Sequence, residues 1–273
     1  METLAGVTFM MGVVAYSVAG TLFFVNLARR EGAPSAVRWA NRVLVLAAVL
    51  HASHIVLASF ITQICPVAST PFGLSLAALV TCVAFLFVRR RPGLGAMGVV
   101  VAPLALMFLI GAQFVEQGPA QSEFSPTLLA LHAATNLLGL GLFLLAAAAS
   151  GFYLLQERRL KTKRRALHAG KLPALDLLDS TEHRLLLAGF PLLTIGVVTG
   201  AIFLGSLHSQ SVNVLARAAL AYVSWGLVAS MLLLRSVAGW RGRRTAYGTL
   251  AAAACVLLVL FVYVLRAGGS TGL

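Results

Sequence analysis

Acid is what this sequence has least of. Only 8 of its 273 residues are Asp or Glu and 11% carry any charge, while 59% are hydrophobic and the mean hydropathy is +0.92. So thin a polar complement cannot cover a soluble domain of this length. Cysteine is scarcer still. Cys65, Cys82 and Cys255 form neither a C-x-x-C pair for thiol exchange nor the C-x-x-C-H of a covalently attached cofactor, and the plainest reading of each is a small buried residue or loop-edge thiol. Tryptophan occurs only at Trp39, Trp225 and Trp240, with no tryptophan-rich cluster.

What the chain has instead is long apolar runs. About eight are legible, at roughly 7–28, 43–62, 72–88, 93–115, 127–156, 185–206, 212–234 and 246–265. Crossing about 30 Å of hydrocarbon takes roughly 20 helical residues, and none of these runs has the short, alternating pattern of a barrel strand. The expected fold is all-α: a polytopic membrane bundle of about eight transmembrane helices forming one domain over 1–273.

The basic residues set the expected orientation. Nineteen of the 21 Lys and Arg fall in the links after the first, third, fifth and seventh runs, leaving only Arg217 and Arg266 at the other side. The Lys/Arg-rich side is normally cytoplasmic, which puts both termini outside and makes 157–184 a basic cytoplasmic loop. Met1 to Gly6 lacks a basic n-region, so the first run reads as a retained span, not a cleaved signal. A net charge of +13 and a pI near 11.0 are then topogenic and suited to lipid headgroups; no nucleic-acid partner is expected. Within the loop, Pro173 to Glu182 has the spacing of a short interfacial helix, and no Asp or Glu falls inside an expected span, which argues against an ion pathway.

Histidines carry whatever chemistry there is. His51 and His54 share one face of the second span, His132 lies near the outer mouth of the fifth, and His208 at the outer end of the sixth, whereas His168 and His183 are cytoplasmic. Imidazoles from two helices can hold a haem between them, or can simply hydrogen-bond across helices; spacing alone leaves both open. Gly196 and Gly200 form a small-xxx-small pair beside Thr199, and Pro103 and Pro191 are expected to bend their spans.

GFYLLQERRLK (151–161), LPALDLLDSTEHRLLLAGFPLLTIGVVTG (172–200) and GWRGRRTAYGTL (239–250) resemble the membrane cytochrome c assembly family, the CcsA/CcmC-type proteins with their HemX/YpjD-like relatives. The likeness spans Leu131 to Leu250 and reaches the first half through the His-bearing second span. It implies non-covalent binding of haem b near the outer face, with His51 and His132 as iron ligands, His54 competing for the place of His51, and His208 and Arg217 as further cofactor contacts. Arg217 would recognise a propionate through its guanidinium fork. Two departures stand out: there is no WxWD-like external segment, and no histidine near Ala216 and Arg217. They draw the chain toward the HemX/YpjD-like branch.

The resemblance thus implies a haem carrier or chaperone in cytochrome c biogenesis, not an enzyme, in a bacterial cytoplasmic (inner) membrane. Its partners would be haem, membrane lipid and other cytochrome c maturation or haem-biosynthesis proteins. The alternative is a haem-independent regulatory or accessory subunit acting through its cytoplasmic loop. A small-solute transporter is a third reading, for which no inverted repeat is evident.

Overall fold

A computed structural model describes the chain except for residues 29–33, 67–69, 91–93, 115–125, 162–172, 207–211 and 270–273. Eight α-helices follow in order: α1 Glu2–Ala28, α2 Pro34–Thr62, α3 Thr70–Val88, α4 Gly98–Gly111, α5 Pro126–Lys161, α6 Leu175–Ser206, α7 Val212–Val237 and α8 Arg243–Gly269. Short 3-10 turns at Leu94–Met97 and Ala112–Phe114 bracket α4. Proline opens α2 and α5, where its missing N–H and fixed φ suit the first helical turn.

Among the described residues six stretches are long and apolar enough to cross a bilayer: Glu2–Ala28, Ser35–Thr62, Leu94–Gly111, Thr127–Lys161, Leu175–Leu204 and Ala218–Val237, with Phe72–Val88 a shorter apolar helix. Only helices satisfy their backbone within hydrocarbon without a closed sheet, so the chain is a multi-pass helical membrane protein.

The helices pack as two groups. In the first, α1 lies against α2 and α4, with α3 against α2 and α4; in the second, α5 lies against α6 and α8, and α7 against α6 and α8. The α3–α5 contact joins them. The core on the α1–α4 side is built on Tyr16, Phe23, Leu44, Phe85, Met97 and Leu109, and is continued by Phe143, Leu145 and Phe152 of α5. Glycine permits the close α1–α4 approach, since a Cβ on Gly98 would fall 2.5 Å from the Phe23 ring. Pro103 and Pro191 sit inside continuous helices, α4 and α6.

The link between α5 and α6 differs from the sequence expectation. The helices run through Lys161 and from Leu175, so the interfacial helix expected over 173–182 is instead the first turns of α6. Asp179 and Glu182 therefore lie in the first turns of a membrane-length helix, just ahead of the apolar run expected from Leu185. Both carboxylates have found partners on neighbouring helices, which is why the helix can carry them. Arg235 of α7 donates from Nη1 and Nη2 to Asp179 Oδ1 and Oδ2 at 3.0 and 2.7 Å, a two-pronged ion pair. Gly242 N–H adds a 2.7 Å bond to Oδ1. One turn on, Thr249 of α8 donates to Glu182 Oε1 at 2.6 Å.

The turn between α7 and α8 depends on glycine twice over. Gly239 and Gly242 have φ of +66° and +67°, a region that disfavours side chains. A Cβ on Gly242 would also come within 2.5 Å of the Tyr153 hydroxyl of α5. The GWRG segment is thus shaped to deliver a backbone N–H to Asp179.

Candidate functional site

Three of the histidines singled out by sequence have described surroundings, and they differ in which ring nitrogen is committed. His51, on α2, is fully buried. The Tyr16 hydroxyl of α1 lies 3.2 Å from its Nδ1, and the Ser75 hydroxyl of α3 lies 2.7 Å from its Nε2. A neutral imidazole can donate at one nitrogen and accept at the other, so this ring is saturated. It ties three helices together.

His54 lies one turn further along α2 and is half-buried, its ring 5.2 Å from that of Phe9. Its Nδ1 is 3.0 Å from the Ala5 carbonyl oxygen of α1. A carbonyl can only accept, so the proton sits on Nδ1 and the Nε2 lone pair is left available. The nearest described partner of Nε2 is the Gln113 side-chain amide at 3.5 Å, at the outer limit of a hydrogen bond.

His132 repeats the arrangement on α5. Its Nδ1 lies 2.8 Å from Thr199 Oγ1 of α6. That hydroxyl spends its own proton on the Ile195 and Gly196 carbonyls, at 2.8 and 3.0 Å, so its oxygen accepts from Nδ1–H. Nε2 again keeps its lone pair. The Asn136 amide donates to the His132 carbonyl at 2.8 Å and lies 3.2 and 3.3 Å from the two ring nitrogens, shared between them at longer range.

The small residues of α6 make this seat. A Cβ on Gly200 would stand 3.2 Å from His132 Cε1, and one on Gly196 would collide with the Asn136 amide. Phe203 closes the other side, its ring 5.0 Å from the imidazole. The Gly196–Gly200 pair, expected only to bring helices together, accommodates a histidine. Thr199, beside Gly200, makes the cross-helix hydrogen bond its position allowed, and Asn136 is the partner the sequence reading missed; its spacing of four from His132 was the available signal.

His54 and His132 occupy corresponding levels. Counting along the helices, each lies toward the end remote from the Arg-rich links, eight residues before the close of α2 and six after the start of α5. Their helices belong to different groups, with α3 packed against both, and no described contact joins the two rings. Among the described residues no group of three or more His, Cys, Asp or Glu could hold a bare metal ion. An imidazole whose Nδ1–H is fixed by an oxygen and whose Nε2 is free is, however, the usual form of a histidine that ligates iron. His208 lies outside the described residues, as does the side chain of Arg217, a residue of α7.

The profile of the cytochrome C assembly protein family matches residues 39–268. Curated relatives named cytochrome c biogenesis protein CcsA are similar over shorter stretches. The protein from a Synechococcus species is 36% identical over 76 residues, 28% of this chain and 22% of the relative. That of a Synechocystis species is 31% identical over 97 residues, 36% and 29% of the two chains. That of Prochlorococcus marinus is 36% identical over 87 residues, 32% and 27%. The matched region thus spans less than a third of each of these relatives. No solved structure matches the chain.

Proposed function

We propose a haem-handling role in cytochrome c biogenesis on one premise: the chain belongs to the cytochrome c assembly protein family. It would bind haem b non-covalently and act as a carrier or chaperone rather than as an enzyme. The observation that carries the reading is the paired state of His54 and His132, each with Nδ1–H held by an oxygen and Nε2 unclaimed by a strong partner. These two would supply the imidazoles. His51, whose nitrogens already meet Tyr16 and Ser75, would hold α1, α2 and α3 together and leave ligation to His54.

Haem bound there supplies an iron centre that accepts neutral nitrogen ligands. The residues of this chain do the rest: Ala5 and Thr199 fix the tautomers, while Phe9 and Phe203 flank the rings with apolar surface. Arg217 remains the candidate for a propionate contact, and His208 for a contact at the outer end. The missing tryptophan-rich segment favours the HemX/YpjD-like branch, whose members are candidates for haem-biosynthesis control as well as assembly. Eight spans with both termini outside, in a bacterial cytoplasmic membrane, complete the proposal; nineteen of 21 basic residues on one side support it.

The test is the absorption spectrum of the detergent-purified protein, oxidised and dithionite-reduced. Sharp b-type bands are expected in the wild type, strongly reduced in His54→Ala and in His132→Ala. A wild type that stays colourless after haem addition overturns the proposal, and directs attention to the haem-independent alternative acting through 157–184. Bands that survive both substitutions overturn the ligand assignment alone.

A further inference from the structure

An apolar groove of about 460 Å³ runs between α4, α5 and α8, away from the histidines. Val100 and Leu104 line it from α4, Gly151 and Leu155 from α5, and Leu250 and Ala254 from α8. Not one lining side chain carries a nitrogen, oxygen or sulfur atom. A metal-bearing macrocycle would find no ligand there and a polar solute no partner, so the occupant is a hydrocarbon chain.

The two longer walls lead to charge of one sign. On α5 the lining stripe of Leu144, Ala148, Gly151 and Leu155 continues, at helical spacing, into Arg158 and Arg159. On α8 the face that carries Leu250 and Ala254 begins with Arg243 and Tyr247, and the Arg243 guanidinium reaches the Tyr247 hydroxyl at 3.4 Å. Arg244 follows in the same turn, against the Trp240 ring. Of the acids at this end, Asp179 and Glu182 are held by Arg235, Gly242 and Thr249, and Glu157, which faces Arg243 across the helices, is paired with Lys161 at 2.7 Å. Arginines exposed at 158, 243 and 244 above a hydrocarbon groove fit a molecule with an anionic head and an apolar tail.

We propose that the α4–α5–α8 groove binds an anionic phospholipid of the bilayer, an acyl chain along Gly151 and Ala254 and its phosphate against Arg243 and its neighbours at the basic end. Gly151 is the position that makes the chain fit, for a Cβ there meets nothing within 4 Å. A larger side chain at 151 would fill the groove without striking the protein. The site is independent of haem binding.

The experiment is native mass spectrometry of the full chain extracted from bilayers of equal phosphatidylglycerol and phosphatidylcholine. Wild type is expected to retain phosphatidylglycerol over phosphatidylcholine by roughly tenfold or more, the preference that two arginines near an anionic headgroup supply. Gly151→Leu is expected to lose the retained lipid. Arg243→Gln is expected to keep a lipid but lose most of the preference for phosphatidylglycerol. A thermal melt of lipid-depleted samples, with Gly151→Leu at or above wild type, verifies that the variant folds; if it does not, Ala254→Leu replaces it. Equal retention of the two lipids by wild type overturns the proposal, as does undiminished phosphatidylglycerol on a folded groove-filling variant, which would mean that the lipid sits elsewhere or that another occupant covers the groove.

Discussion

Whether a histidine can ligate iron depends on what its other nitrogen is doing, and three residues of this chain illustrate it. Thr199 is the clearest lever: its oxygen takes the Nδ1 proton of His132 while its own proton goes to backbone carbonyls. Thr199→Val keeps the shape and removes the acceptor. Loss of such an outer partner typically lowers metal affinity by about 10–100-fold. Haem titration of the purified protein should therefore show weakened binding in Thr199→Val and near-normal binding in Thr199→Ser. A structural role alone would not separate the two. His51 should behave in the opposite way. His51→Ala removes hydrogen bonds to two neighbouring helices, each worth about 0.6–2 kcal/mol in a membrane protein. Its melting temperature in detergent should fall while haem, where retained, keeps its spectrum. Equal band loss in His51→Ala and His54→Ala at unchanged stability would reverse that assignment. Nothing in the spacing of two histidines three residues apart distinguishes them; the difference arises from Tyr16, Ser75 and Ala5, which reach them from other helices.

At the scale of the element, the sequence was legible where one helix decides its own fate. Apolar length alone placed seven of the eight expected spans within a described helix, because a helix in hydrocarbon needs no partner to satisfy its backbone; the run at 93–115 holds only the shorter α4 between two 3-10 turns. Helix ends were less legible, and α6 is the instructive case. Asp176, Asp179 and Glu182 read as the polar face of a short interfacial helix, since the carboxylates have no partner nearby in sequence. The partners of Asp179 and Glu182 lie 56 and 67 residues away, on α7 and α8. The same holds for GWRGRR, which reads as a basic anchor yet supplies the Gly242 N–H that completes the Asp179 site. This clamp should be the mechanical tie between α6, α7 and α8. The Arg235 and Asp179 side chains are only 11% and 12% exposed. Asp179→Ala leaves a guanidinium without its carboxylate and should cost roughly 2–3 kcal/mol, at or just under the range for a fully buried pair. Replacing both, as Asp179→Leu with Arg235→Met, should restore most of that loss, because the desolvation of the second charge disappears with it. Thermal melts of the wild type, Asp179→Ala and the double variant check this. A double variant no better than Asp179→Ala would mean that the carboxylate acts chiefly through Gly242.

For the whole molecule, the alternation of helices distributes chemistry between two ends. Most of the basic residues, the Asp179 clamp and the mouth of the lipid groove gather at one, and His54 and His132 lie toward the other. Haem held near the second end would be remote from the compartment where the basic residues anchor the chain, a separation that suits transfer across a bilayer. Which end faces out decides this, and the charge bias makes the proposed orientation testable. Cys65 tests it without new chemistry: it is exposed, unpaired, and stands just after α2, at the end remote from the basic links. Cys82 is buried inside α3 and Cys255 is partly buried inside α8. A membrane-impermeant maleimide added to intact spheroplasts should therefore label the wild type at Cys65, and Cys65→Ser should abolish the labelling. Ser236→Cys on that Cys65→Ser background puts a thiol at the exposed basic end of α7. It should react only after the membrane is permeabilised. Labelling of position 236 in intact spheroplasts, with Cys65 protected, would invert the topology and place the two histidines on the side where haem is made. The chain would then be suited to receiving haem rather than to presenting it.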